Sequence, residues 1–271
     1  MASSIQKNPT ASLIGPGDPA PFTSYNPGGG ARVLLVADHA SPKFPAEMKQ
    51  LGVDDWVLDR HVTWDIGSDR LTRHLADLLD APAILAGYSR LIVDLNRQLD
   101  DPTAFVEVSD GICIPGNQNL GEEEKELRVQ SFFLPYHDAV AARLERFISA
   151  GTVPVLISVH TCTPVFAQVV RPWHIGIMWD TDARLARPMM EKLKQFEGVC
   201  FGDNEPYSGR HAHDFTIDHH AEPCGLPHVG IEVRQDLVRS DEGAQKWAGI
   251  LAEALRETLQ DENLYQRLQP A

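Results

Sequence analysis

The chain has 271 residues, 43% of them hydrophobic, which is enough to bury a full core as one large domain. Its 24 basic and 38 acidic residues give a formal net charge of -14, which disfavours nucleic acid or an anionic membrane as a partner. The four cysteines lack CxxC spacing, and no run approaches the roughly 20 apolar residues that span a bilayer. We therefore expect a cytoplasmic protein, whose oligomeric state the sequence leaves open.

Residues 1–31 are rich in Pro, Gly and Ser, which predicts an extended N-terminal arm. We expect residues 32–271 to form a single domain. It begins with the apolar run at 32–37, which is typical of a strand buried on both faces. The following segment, 65–80, predicts an amphipathic helix because its apolar residues recur at helical spacing.

Further apolar runs predict strands at 82–86, 91–95, 153–159, 174–179 and 228–233. Helices are expected near 121–150, 182–196 and 241–260. Strands that alternate with helices predict an α/β domain whose sheet is flanked by helices on both sides.

Polar residues that directly follow such strands deserve particular weight, because ligands in α/β sheets bind outside the carboxyl ends of strands. His39 ends "VLLVADHAS", His160 ends "PVLISVHTCTP", and Glu232 lies in "HVGIEVRQD". One histidine at a strand end is most often structural. Two at separate strand ends, joined by a carboxylate, match a catalytic zinc site with an open position for water. We therefore predict one zinc ion per chain.

The third zinc ligand is expected within "DRHVTWDIGSD", where Asp65 is our prediction and His61 is its rival. Asp65 also stands where a helix N-cap is expected, and capping alone would explain an aspartate there. Four further histidines are weaker candidates: His211, His213, His219 and His220.

Other polar residues are suited to binding a substrate. The segment "YSRLIVDLNR" supplies Arg90, Asn96 and Arg97, a local cationic patch that an acidic substrate would need. The loop "GDNEPYSGR" supplies further candidate contacts or forms a plain turn: Asn204, Tyr207 and Arg210. Glu232 lies among apolar strand residues, where a carboxylate is costly to bury without a partner or a function.

Six ordered segments resemble successive blocks of the N-formylglutamate amidohydrolase family across residues 32 to 240: "VLLVADHASPKFP", "DRHVTWDIGSDRL", "YSRLIVDLNR", "ISVHTCTPVF", "GDNEPYSG" and "GLPHVGIEVRQDL". This family is similar in fold to zinc carboxypeptidases and aspartoacylases, which implies a mixed sheet between two helical layers. The resemblance also implies that His39 and His160 bind zinc, that Asn96 and Arg97 hold a substrate carboxylate, and that Glu232 is the general base.

One position departs from the carboxypeptidase pattern, in which the second zinc ligand stands three residues after the first histidine. This chain has Pro42 there, so that ligand must come from elsewhere, and Asp65 in the "WDIG" block is our inference.

The resemblance implies cleavage of N-formylglutamate, or a similar small N-acyl amino acid, to formate and the free amino acid. Arg90 is then a candidate to stabilise the oxyanion. Arg210 or Arg234 could meet the side-chain carboxylate, although Arg234 could instead tune the charge of Glu232. Two alternatives stay open: a non-catalytic carboxylate-binding protein on this fold, and a cysteine hydrolase that uses Cys162 with His160.

Overall fold

The computed structural model describes residues 12–210 and 214–268, and it contains a seven-stranded central sheet. The strands are β1 (Phe22–Tyr25), β2 (Val33–Ala37), β3 (Ala83–Ala86), β4 (Val108–Ser109), β5 (Ile112–Cys113), β6 (Val155–Cys162), β7 (Val165–Phe166), β8 (Val169–Val170), β9 (Ile175–Met178), β10 (Phe201–Asp203) and β11 (His228–Arg234). The central sheet has the order β1-β3-β2-β6-β11-β9-β10. β4–β5 and β7–β8 are separate two-stranded hairpins.

The helices are α1 (Ser68–Leu79), α2 (Glu122–Arg128), α3 (Leu134–Ser149), α4 (Ala186–Leu193), α5 (Thr216–His220) and α6 (Asp241–Gln260). A π-helical turn, Val129–Phe133, joins α2 to α3 just before Pro135, which cannot donate a backbone hydrogen bond. α6 starts where the Ser240 side chain accepts a hydrogen bond from the Gly243 amide. Among the described residues, no helix is both long enough and apolar enough to cross a bilayer.

The strand directions make the sheet mixed. β2, β3, β6 and β11 are parallel, β1 is antiparallel to β3, and the β9–β10 pair runs opposite to β11. α1, α4 and α6 pack together on one face, and the α2–α3 helix covers part of the other. The predicted α/β architecture, a mixed central sheet between two helical layers, is confirmed.

One predicted strand is wrong. Residues 91–95 are buried as expected, but they form irregular backbone rather than a strand. The carbonyls of Leu91, Ile92 and Leu95 accept hydrogen bonds from the side chains of Asn117, Arg128 and His137. Because these side chains satisfy the buried backbone, the segment needs no neighbouring strand.

The predicted N-terminal arm contains an element of the sheet. Residues 22–25 form β1, which pairs antiparallel with β3 from Phe22 opposite Ala86 to Tyr25 opposite Ala83. The Tyr88 hydroxyl also donates to the Pro19 carbonyl. The described part of the arm therefore lies against the domain along this edge.

Candidate active site

The two faces of β6 and β11 differ in chemistry. Ile157, Val159 and Ile231 point into the apolar core beneath α1 and α6. On the opposite face, His160 lies beside Glu232, because these two residues are paired in the parallel register of the strands. Both side chains are buried, and they form the floor of the candidate site.

A histidine from a third element completes a cluster with Asp65. His39 follows the end of β2, and its Nδ1 lies 3.4 Å from Oδ2 of Asp65. The Nδ1 of His160 lies 3.0 Å from the same oxygen. The potential ligand atoms of the three residues all lie within 4.8 Å of one another, and no other such group is found among the described residues.

The donor set of this cluster fits a divalent metal such as zinc. In a tetrahedral site with bonds of about 2.0–2.1 Å, neighbouring donor atoms lie roughly 3.3–3.4 Å apart, which is close to the His39–Asp65 spacing. Asp65 does not cap α1, since the N-cap position is Gly67 and the carboxylate points toward the two histidines. The capping explanation for this aspartate is therefore unnecessary.

Two buried carboxylates that the sequence reasoning missed lie behind the histidines. Asp94 accepts from Nε2 of His39 at 2.7 Å, and Asp38 lies 3.5 Å from Nε2 of His160, which also contacts Ser158 at 2.9 Å. Contacts of this kind orient a ligating imidazole and fix its tautomer. They leave Nδ1 of each histidine facing Asp65.

Charges within the cluster oppose the effect of burial. Burial alone would lower the pKa of His160, but the hydrogen bond and charge of Asp65 raise it to about 9. Burial and Arg90 would also lower the pKa of His39, but Asp94 and Asp65 raise it. The neighbouring histidines in turn hold the pKa of Asp65 well below its usual range despite its burial. The site is therefore arranged to hold positive charge between its ring nitrogens and Asp65.

Glu232 combines burial with an oxygen that has no hydrogen-bond partner among the described residues. It is only 7% exposed, and among the described residues no hydrogen-bond donor reaches its Oε2. Burial raises the pKa of Glu232 to about 7, against the opposing charge of His160. A carboxyl group with a pKa near neutrality can both accept and return a proton.

The cluster and Glu232 line a cavity of about 510 Å³. Arg90 also lines it, held by Asp94 at 2.5 Å and Asp65 at 3.3 Å. Asn96 and Arg97 lie on the wall, where Arg97 pairs with Asp214 at 2.5 Å. The Oδ1 of Asn96 accepts from the amides of residues 215 and 216 at the start of α5, and its amide nitrogen donates to none of the residues that the structure describes.

The four remaining predicted contacts divide into two groups. Asn204 and Tyr207 line the cavity. Arg210 and Arg234 do not: Arg210 faces Asp180 at the surface, and Arg234 is held by Asp236 and the Arg171 carbonyl. No cation other than Arg90, Arg97 and histidine lines the cavity within the described residues.

Arg171 is buried behind the cavity wall, and the sequence analysis did not predict a role for it. Its guanidinium donates to the Tyr207 hydroxyl at 2.9 Å and lies 4.8 Å from the centre of that ring. It also donates to Thr163. Arg171 thus fixes the tyrosine that forms part of the cavity wall.

The rival ligands lie apart from the cluster. His61 lines the cavity but faces Asp110 at 3.9 Å. His220 is buried against His137, and His219 stacks on Phe215. His211 and His213 lie outside the described residues.

Cys162 lines the cavity, but its surroundings oppose a thiolate. Burial and the charge of Glu232 raise the pKa of this thiol. The ring nitrogens of His160 face Asp65 and Ser158. A catalytic cysteine needs the opposite setting, in which a partner lowers its pKa.

Comparisons with known proteins place this architecture in a family. The chain is similar to the gene product Atu2144 of Agrobacterium tumefaciens, with 32% identity, a TM-score of 0.88, and coverage of 91% of this chain and 98% of that one. An N-formylglutamate amidohydrolase from Ralstonia eutropha JMP134 shares the fold, with 19% identity, a TM-score of 0.65, and coverage of 88% and 97%. No curated protein matches significantly. The family model of N-formylglutamate amidohydrolase matches residues 31–239, and the chain therefore belongs to that family.

Proposed function

We propose that this protein is a zinc-dependent amidohydrolase that removes the formyl group from N-formylglutamate or a closely similar N-acyl amino acid. The family match supports a hydrolase that acts on amides. The observation that carries the finer proposal is the placement of Glu232, a buried carboxyl group without a donor to Oε2, beside the His39, Asp65 and His160 cluster.

Each residue then has a defined task. His39, Asp65 and His160 would hold zinc, which supplies Lewis-acid polarisation of the acyl carbonyl and activation of water. Glu232 accepts a proton from the attacking water and delivers it to the departing amine. Arg90, held in place by Asp65 and Asp94, is the nearby cation for the developing oxyanion.

Substrate binding falls to the wall that carries Asn96 and Arg97. The Arg97 guanidinium already pairs with Asp214, so a substrate α-carboxylate would share a cation whose position is fixed. Asn204 and Tyr207 are proposed to contact the rest of the amino acid. Arg210 and Arg234 do not line the cavity and have other partners, so we do not assign them to the side-chain carboxylate.

The test is an assay of the purified full chain on N-formylglutamate, with formate release and metal content both measured. We expect hydrolysis that a chelator abolishes and zinc restores. Asp65→Asn should lose metal, whereas Asp69→Asn, at a half-buried aspartate one turn away that pairs with Arg73, should retain it. Normal metal content in the Asp65 variant would overturn the assigned ligand set.

Two further outcomes separate the alternatives. Equal rates on N-formylglutamate and N-formylglutamine would show that only the α-carboxylate is recognised. Metal and ligand binding without turnover of any N-acyl amino acid would instead support a carboxylate-binding protein.

A further inference from the structure

Arg171 is a buried cation that only neutral groups hold within the described part of the chain. It is 6% exposed, and its guanidinium donates to the Tyr207 hydroxyl and to the hydroxyl and carbonyl of Thr163. Its central carbon also lies 4.8 Å from the centre of the Tyr207 ring and 5.0 Å from that of Phe166. A charge is costly to bury without an opposite charge, so this arrangement indicates a site that an anion completes.

The hydrogen bond between Arg171 and Tyr207 determines what the hydroxyl can do. A guanidinium only donates, so the phenol oxygen accepts in the 2.9 Å contact. The hydroxyl proton is donated to none of the residues that the structure describes. Because the donor to this oxygen is a cation, the O–H group is polarised and can donate a stronger hydrogen bond. Tyr207 lines the active-site cavity, where such a donor can meet a ligand.

The loop that carries Tyr207, residues 204–209, is held in place before any ligand binds. The Oδ1 of Asn204 accepts from the amide of Gly209 at 3.0 Å, which ties the start of the loop to its end. The loop backbone also packs so closely on β9 that a Cβ at Gly176 would collide with it. Little conformational entropy is therefore lost when the tyrosine contacts a substrate.

The hydroxyl of Tyr207 also remains protonated at neutral pH. Burial raises the pKa of Tyr207 and the charge of Glu232 raises it further, whereas Arg171 opposes both effects. The phenol is therefore a donor under the conditions in which the cavity would bind a substrate, and its electrostatic interaction with Glu232 joins it to the reacting side of the cavity.

An N-acyl glutamate brings two carboxylates to this cavity. In the proposed function Arg97 binds the α-carboxylate and Arg90 faces the oxyanion, so the arginines that line the cavity are already assigned. The side-chain carboxylate still lacks a partner. Tyr207 offers it an O–H donor, and Arg171 behind the ring offers the positive charge that makes an anion preferable to a neutral group.

We propose that Tyr207 donates a hydrogen bond to the side-chain carboxylate of the substrate, and that Arg171 makes this contact selective for acidic amino acids. Tyr207 is the residue that touches the substrate, and Arg171 is a positioning residue that acts through it. The proposal rests on the proposed amidohydrolase function, and it names the part of the site that selects the amino acid.

The experiment compares N-formylglutamate with N-formylmethionine on the zinc-loaded full chain. These compounds share the α-carboxylate and the scissile bond and have side chains of similar length, but only glutamate carries a second carboxylate. Tyr207→Phe keeps the ring and removes the donor, so the glutamate-to-methionine ratio of kcat/KM should fall by roughly tenfold or more. The loss should appear mainly in KM for N-formylglutamate, while kcat/KM for N-formylmethionine stays unchanged.

A second variant tests the part assigned to Arg171. Arg171→Gln removes the charge and should lower the same ratio, and the double variant with Tyr207→Phe should lose no more than the larger single loss, because the two residues act as one unit. Additive losses would overturn the role of Arg171. Where Arg171→Gln does not fold, Tyr207→Phe alone decides, since Tyr207 is partly exposed.

Tyr265→Phe is the matched control, because the Tyr265 ring also packs against an arginine, Arg32, and its hydroxyl donates to a carbonyl away from the cavity. It should leave the ratio unchanged. An unchanged ratio in Tyr207→Phe, or an equal loss on both compounds, would overturn the proposal. Equal kcat/KM for the two compounds in the unaltered protein would overturn it and leave the amidohydrolase intact, whereas hydrolysis of neither would overturn the proposed function itself.

Discussion

Two regions of the molecule contribute side chains to the candidate site, and they hold those side chains in different ways. The strand region, β6 and β11, aligns His160 with Glu232 through a continuous parallel ladder. The irregular region, residues 89–97, carries Arg90, Asp94, Asn96 and Arg97 on backbone that distant side chains hold in place. The first region depends on main-chain hydrogen bonds and the second on buried polar side chains.

This difference determines what a mutation can change. On a strand, a side chain can be altered while the ladder keeps the backbone where it was. In the irregular region, loss of one remote donor leaves a buried carbonyl unsatisfied and frees the backbone that carries the site. A mutation in the strand region should therefore change turnover without changing the free energy of unfolding. A mutation in the irregular region should change both.

The largest effect is expected from Glu232→Gln in the strand region. The amide has nearly the same shape but cannot accept the water proton, so kcat should fall by roughly 10² to 10⁴. Removal of a buried carboxyl without a donor to Oε2 should not lower the free energy of unfolding. Steady-state kinetics, metal content and urea unfolding measure the three quantities.

Glu205→Gln is the control for that variant, because Glu205 lines the same cavity but is exposed. It removes a nearby negative charge without removing the proposed base. A comparable loss of kcat in both variants would mean that Glu232 contributes only charge, and unchanged turnover in Glu232→Gln would exclude it as the base.

The second largest effect is expected from Asn117→Ala, which removes a side chain that holds the irregular region in place. Asn117 is buried, donates to the carbonyls of Leu91 and Val106, and accepts from Arg128 at 2.6 Å. Its loss should lower the free energy of unfolding by about 2–4 kcal/mol, since several buried polar groups lose their partner. It should also lower kcat/KM on the order of tenfold to a hundredfold, because the segment that carries Arg90 and Asn96 shifts.

Gln118→Ala is the matched control, since Gln118 donates one hydrogen bond at the exposed surface. It should change both quantities little. If Asn117→Ala loses stability but keeps full kcat/KM at a temperature where it is folded, the irregular segment does not depend on Asn117 for its position.

The same contrast explains what the sequence could predict. Along a strand, an apolar run that leads into a polar residue is a local signal, and it made His39, just after β2, and His160, near the end of β6, candidates. The run at 91–95 gives the same signal, because burial produces apolar residues whether the backbone pairs with a strand or with side chains. Its partners, Asn117, Arg128 and His137, lie more than twenty residues further along the chain, so no local pattern could reveal them.

The carboxylates behind the histidines were missed for a related reason. Asp38 directly precedes His39, yet it lies 3.5 Å from His160 rather than supporting its neighbour. Asp94 supports His39 from a segment 55 residues away. Only the folded sheet brings these pairs together, so spacing along the chain assigns neither partner.

The smallest effect is expected at Asp218, which lies on α5 between the two regions. Asp218 lines the small cavity behind His160, and α5 is joined to Asn96 through the amide of Thr216. Burial raises the pKa of Asp218 to about 7, and the carboxylates of Glu222 and Asp214 add to that increase. The folded protein therefore keeps a proton that the unfolded chain releases near pH 4.

The sign of the pH dependence follows from that difference. Between about pH 4 and pH 7 the unfolded state loses its proton first, so the Asp218 contribution to the free energy of unfolding decreases as the pH rises. Asp218→Asn should remove this penalty and raise the unfolding free energy at pH 8 by about 1 kcal/mol, a value reduced for partial exposure to solvent. The gain should be smaller at pH 5, and urea unfolding at both pH values measures it.

The control is Asp55→Asn, at an exposed aspartate, which should change the unfolding free energy by the same small amount at both pH values. A gain of equal size at both pH values would mean that Asp218 affects stability through packing rather than through its proton.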